Sequence, residues 1–260
     1  MARLRRAGGL LISREIAVLT NAIAFNFLMC LFPLLIAVVA VSQQTVRGQG
    51  VLRALELVIN EVIPFGHEAI ASSLRTLTKA ARGLELVSLV LILWGSSGIF
   101  MPVEMALNRA WGGRPHRDFW KSRLLAFVMT VAGGVLALLS VALTVWVRAN
   151  GKAWPMVTGY SAKASAFLLT TLLFFLIYRF VPDAPVRSGV ALRAALWGGG
   201  AWEAAKYGFI VKLAGMNLQA FYGPLAFAVA LLLWAYLSSL ALVFGALMSP
   251  LPEGAAPREG

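Results

Sequence analysis

Residues 124–147 read LLAFVMTVAGGVLALLSVALTVWV, without one charged side chain, and are closed by Arg123 on one side and Arg148 on the other. A helix of ~20 apolar residues spans the ~30 Å hydrocarbon core of a bilayer, so this stretch reads as a transmembrane helix. Working outward, the chain repeats the pattern. Residues 16–46 are uncharged and hold a span at 21–41. Residues 86–103 hold another, where Gly95, Ser96, Ser97, Gly98 and Pro102 predict a kink or close packing. Residues 160–181 form the fourth span, with Lys163 and Arg179 near its ends, where their stems reach the headgroups, and Pro182 and Pro185 stopping it. The fifth, from residue 194 to 211, is broken by Glu203 and Lys206, which leaves a full crossing and a re-entrant segment both open. The sixth, 223–248, opens on Tyr222-Gly223-Pro224, with proline at an early helical position.

Composition agrees: 60% of the residues are hydrophobic, 13% are charged and mean hydropathy is +0.79, a balance that a water-soluble core of this size does not hold. The expected fold is all-α, a polytopic membrane bundle of six transmembrane helices with two short amphipathic helices in the first external loop. It divides into a basic N-terminus (1–20), one membrane domain (21–249) and a short tail (250–260). In the loop, 42–85, Val51, Leu55, Val58 and Val62 recur at helical spacing opposite Arg53, Glu56 and Asn60, and Ile70, Leu74, Leu77 and Ala81 make a second stripe. The apolar run after the first arginines is interrupted by Arg14 and Glu15, too soon for a cleaved signal peptide.

The formal net charge of +12 is read as orientation and not as a nucleic-acid surface. With six spans and the N-terminus inside, thirteen Lys and Arg fall in cytoplasmic segments and eight on the other side, so both termini are expected in the cytoplasm. The expected partner is the lipid bilayer, with anionic headgroups meeting a basic stretch of Arg109, Arg114, Arg117, Lys121 and Arg123 interleaved with Trp111, Phe119 and Trp120. The same stretch also reads as an orientation signal with its aromatic belt.

Ionisable residues inside a span are costly and usually face a cavity or a partner, which singles out Glu203 and Lys206. Three apart on a helix, they share a face and either pair with each other or line a pathway. Asn26 is a further polar point, expected to bond a neighbouring helix. Gly200, Ala204 and Gly208 form a small-residue stripe expected to let a helix approach closely, as do Gly95 and Gly98. No catalytic, metal or cofactor site is expected. His67 and His116 fall in different loops on opposite sides, Cys30 stands alone in an apolar run, and no nucleotide-binding loop, dinucleotide fingerprint or zinc helix occurs.

Five short runs in order carry a family resemblance: Leu31-Phe32-Pro33-Leu34-Leu35, Leu107-Asn108-Arg109-Ala110-Trp111-Gly112, Tyr178-Arg179-Phe180-Val181-Pro182, Trp202-Glu203-Ala204-Ala205-Lys206, and Tyr222-Gly223-Pro224 through Trp234, Tyr236 and Gly245-Ala246. The chain resembles the YihY/BrkB family over nearly its whole length. The resemblance implies a bacterial inner-membrane protein, and Glu203 and Lys206 fall on the family's Glu-x-x-Lys positions. Members have carried the labels ribonuclease BN and virulence factor BrkB, but this sequence supplies no nuclease site. Phe25 and Asn26 stand where members often have paired tyrosines, and Leu247 where an acidic residue is common. The function expected is transport of a lipid-like, amphipathic or anionic molecule, in keeping with members linked to envelope lipid export. The alternatives are a non-transporting scaffold or envelope-assembly protein and, third, a membrane enzyme drawing on Glu104, Asn108 or His116.

Overall fold

The computed structural model describes residues 14–43, 72, 85–113, 118–150, 155–184, 186–215 and 218–249. Among these there are helices and no strands: α1 Arg14–Gln43, α2 Glu85–Trp111, α3 Phe119–Asn150, α4 Pro155–Phe180, α5 Ser188–Gly215, a short α6 Leu218–Tyr222, a 3-10 turn Gly223–Leu225, and α7 Ala226–Met248. The six long helices run for 23 to 32 residues, ~35–48 Å at 1.5 Å per residue. Each is built around an apolar run legible in the sequence. The fifth is one unbroken helix of 28 residues, so its charged pair does not interrupt the backbone.

Successive long helices pack side by side, α1 on α2, α2 on α3, α3 on α4, α4 on α5 and α5 on α7, and α7 returns to α1 and also meets α2. At the last closure Ser239 places its one hydroxyl proton between two acceptors, the Thr20 carbonyl of α1 at 3.0 Å and the Tyr236 carbonyl of its own helix at 2.8 Å. The core gathers at the end where α1, α3 and α5 begin and α2, α4 and α7 finish. Leu107, Tyr178, Val181, Val186 and Val243 are fully enclosed there, among the alanines Ala106, Ala191, Ala194, Ala195 and Ala246. Alanine at these contacts lets backbones approach. Since lipid tails are as apolar as leucine, close approach and interhelical bonds rather than apolar burial hold such helices together.

Outward, the surface is apolar. On α3 the exposed side chains Leu124, Val128, Val131, Val135 and Leu139 recur at spacings of three and four. Exposed pairs one turn apart continue the girdle: Met101 and Met105 on α2, Leu168 and Leu172 on α4, Leu192 and Leu196 on α5. Of the six expected spans, α7 alone among the described residues is both long and apolar enough to cross a membrane by composition; 15–31 and 167–180 are shorter apolar stretches. In α5 the reason is physical, because Arg193, Glu203, Lys206 and Lys212 dilute its apolar content. The amphipathic loop helices, the N-terminus through residue 13 and the tail from residue 250 lie outside the described residues.

Candidate functional site

The α5 pair sits on the buried side of its helix. Ala195, Gly199, Trp202, Lys206 and Phe209 follow one another at spacings of four and three, the period of a single helix face, and Ala195, Gly199 and Phe209 are buried. Lys206 Nζ lies 2.8 Å from Glu203 Oε2 and donates to Oε1 at 2.9 Å. The two side chains are only 14% and 17% exposed. Two aromatic faces attend the ammonium, Trp202 at 4.9 Å and Tyr207 at 5.9 Å, an arrangement that favours a cation. Trp202 is itself held by α7: its Nε1 donates to Ser238 Oγ at 3.1 Å, and its ring leans on Trp234, as does that of Phe209. One turn before Glu203, Gly199 has no Cβ to fill the space beside Thr171 of α4. The Thr171 hydroxyl there is buried with no hydrogen-bond partner among the described residues. The result is a short polar seam between α4, α5 and α7, comprising one cation, one carboxylate and one unspent hydroxyl in apolar surroundings.

A second polar cluster ties the buried end together, and sequence reasoning did not assemble it. Asn108, 3% exposed, accepts the backbone N–H of Asp183 at 2.8 Å on Oδ1 and donates to Asp183 Oδ2 at 3.3 Å. Trp111 Nε1 donates to the Ser249 carbonyl at 3.0 Å, and the Tyr178 hydroxyl donates to the Leu242 carbonyl at 2.6 Å. The rings of Trp111 and Tyr178 meet edge to face at 5.7 Å. Gly112, with φ of +68°, ends α2 in the left-handed conformation that only glycine adopts without steric cost, turning the chain away after Trp111. Both family-like runs, 107–112 and 178–182, supply residues to this knot, but its central pair joins Asn108 to Asp183, just past the second run and 75 positions away, and no local pattern announces it.

The remaining predicted residues scatter. Asn26 does not reach a neighbouring helix; its Nδ2 donates to the Ala22 carbonyl at 2.8 Å, one turn back on α1. Among the described residues close helix contact does not fall on Gly200, Ala204 and Gly208, since no described residue stands where a Cβ on Gly200 or Gly208 would be and Ala204 is exposed. It falls on Gly198 and Gly245 instead, where a Cβ on Gly245 would lie 2.6 Å from the Ala194 carbonyl and 2.8 Å from Gly198 Cα. Gly98 faces the Cys30 sulfur of α1, which an added Cβ would strike, and Gly95 lies three residues earlier in α2. In the basic stretch Arg109 is paired with Glu15 and Lys121 with Asp118 at 2.9 Å, both pairs exposed, while Arg123 is half-buried. Arg114, His116 and Arg117 lie outside the described residues. Among the described residues no three His, Cys, Asp or Glu side chains come together as a metal would need.

Residues 11–253 match the family model described as Virulence factor BrkB. The chain is 25% identical over 238 residues to a UPF0761 membrane protein of Aeromonas salmonicida, covering 89% of this chain and 82% of that one. It is 24% identical over 242 residues to a UPF0761 membrane protein of Legionella pneumophila, covering 89% and 57%. With a UPF0761 membrane protein of Ralstonia nicotianae it shares 27% identity over 250 residues, covering 94% and 56%. It thus spans just over half the length of the last two relatives. No solved structure matches the chain.

Proposed function

Because the chain belongs to the BrkB family of membrane proteins, we propose that it is a multi-pass carrier of the bacterial inner membrane for a lipid-like, amphipathic or anionic molecule. The observation that carries the reading is the Glu203–Lys206 pair, 2.8 Å apart and mostly buried in a helix whose surroundings are apolar. Charged side chains at such depth are costly and mark pathways more often than they serve packing. Lys206 offers an anionic group its charge, Trp202 and Tyr207 offer flat apolar faces to the rest of the molecule, and Glu203 holds the ammonium when no substrate is present.

Six crossings, including a full crossing by α5, are supported by helix lengths of 23 residues or more and by the exposed apolar girdle. The excess of Lys and Arg in the segments at the end that carries the polar knot supports a cytoplasmic location for that end and for both termini. The sequence has no nucleotide-binding loop, so movement is driven by a gradient or by a partner. The reading is non-enzymatic. Asn108 is engaged with Asp183, and Ser122 Oγ donates to Glu104 Oε1 at 3.3 Å, so two of the groups that a membrane enzyme would draw on already serve contacts within the bundle. Nucleic acid is not among the partners.

The test is lipid translocation in proteoliposomes, comparing intact protein, Glu203→Gln and empty vesicles. The expected outcome is movement that depends on Glu203 in a variant that still folds; an unchanged rate in Glu203→Gln would sink the assignment. A scaffold is the second reading, favoured by the direct pairing of Lys206 with Glu203. Absence of movement above empty vesicles, across several lipid types, would turn the reading to the scaffold or to a water-soluble substrate.

A further inference from the structure

An open cleft of about 460 Å³ lies between the start of α1 and the last turns of α2, lined by Val18, Leu19 and Met105 with Glu15 and Arg109 at its rim. Val18 and Met105 are 66% and 55% exposed, so the cleft opens sideways onto the apolar girdle rather than into the bundle. We propose that it seats one phospholipid with a phosphoethanolamine headgroup.

The charges at the rim select that headgroup. Arg109 donates from Nε to Glu15 Oε2 at 2.9 Å and from Nη2 to the same oxygen, and the two side chains are 61% and 66% exposed. An exposed pair of this kind is held weakly and exchanges partners readily. A ligand that carries its own phosphate and primary ammonium a few bonds apart matches it group for group. The guanidinium takes phosphate oxygens in its planar fork, and the carboxylate accepts N–H bonds from the ammonium. A purely anionic headgroup satisfies Arg109 but is repelled by Glu15, and a quaternary ammonium has no N–H to donate. The acyl chain lies over Val18, Leu19 and Met105. Both rim residues stand at helix ends, Glu15 in the first turn of α1 and Arg109 in the last of α2, where headgroups are met. The seat uses α1 and α2 and none of the α5 residues, so it stands or falls separately from transport.

The measurement is lipid retention, read by native mass spectrometry of the full chain released from nanodiscs of equimolar phosphatidylethanolamine, phosphatidylcholine and phosphatidylglycerol. Expected are at least fivefold enrichment of phosphatidylethanolamine over phosphatidylcholine, loss of that enrichment in both Glu15→Gln and Arg109→Ala, and a reduced enrichment in Arg109→Lys, which keeps the charge but not the planar fork. Glu15→Gln is expected to raise phosphatidylglycerol retention, since the repelling charge is gone. Equal retention of the three lipids by intact protein, a preference for phosphatidylglycerol, or enrichment unchanged in both charge-removing variants would overturn the proposal. Should Arg109→Ala fail to fold, the ordering of lipids on intact protein and on Glu15→Gln decides alone.

Discussion

Tyr178 shows how much one side chain does at the buried end. It is fully enclosed, its ring packs against Trp111 and Phe174, and its hydroxyl holds the Leu242 carbonyl on α7. Tyr178→Phe keeps the ring contacts and loses one hydrogen bond, so unfolding of the purified protein in mixed micelles should show a loss of about 1 kcal/mol. Asn108→Ala removes both bonds to Asp183 and strands a backbone N–H, for a loss of about 1–3 kcal/mol in the same measurement. Asn108→Asp, with two carboxylates face to face, should cost more than Asn108→Ala. Glu203 and Lys206 were legible in the sequence because a charge inside an apolar run stands out without knowledge of the fold. The pairing of Asn108 with Asp183 was not: Asn108 stood out only as a polar residue at a helix end, Asp183 lies between prolines in a connection, and only folding brings them together. Asn26 was misread for a third reason: any helix offers a short polar side chain the carbonyl one turn back, and that local bond needs no neighbour.

Among elements, the glycines of α5 are the instructive case. The spacing of Gly200, Ala204 and Gly208 does put them on one face, but period says which residues share a face and not which face meets another helix. That choice was made by Gly198, against which Phe174, Tyr178 and Gly245 converge. Gly245→Ala should therefore destabilise the bundle by about 1–3 kcal/mol through forced separation of α5 and α7. Gly200→Ala should be neutral or stabilising, by up to about 1 kcal/mol, because alanine is the better helix former and the space beside it is open among the described residues. Thermal unfolding of the two variants side by side checks the contrast. An equal effect of both would mean that the α5–α7 contact is not as close as described.

For the whole molecule, each long helix was legible from an apolar run, the run at 124–147 within α3 being the plainest, whereas the return of α7 to α1 was not. The first and last helices meet through Ser239 and Thr20, an ordinary serine and threonine that carry no mark of each other in the sequence. Cys30, the only cysteine, is 5% exposed between α1 and α2. A membrane-permeant maleimide should label it only after denaturation, and rapid labelling of native protein would contradict the packing of these two helices. Fusions at the C-terminus should fluoresce with green fluorescent protein and be inactive with alkaline phosphatase, and the reverse pattern would invert the proposed orientation.

The described interhelical bonds from Glu15, Asn108, Trp111 and Tyr178 all lie near one end of the bundle. A rearrangement that keeps the bonds of Asn108 and Tyr178 pivots α2 and α4 about that end, while the Trp202–Ser238 bond carries α5 and α7 together: a tilt of ~5° on a rod of ~40 Å moves its far tip through ~3.5 Å. A slight repacking around the clasped end is thereby magnified at the opposite face of the membrane.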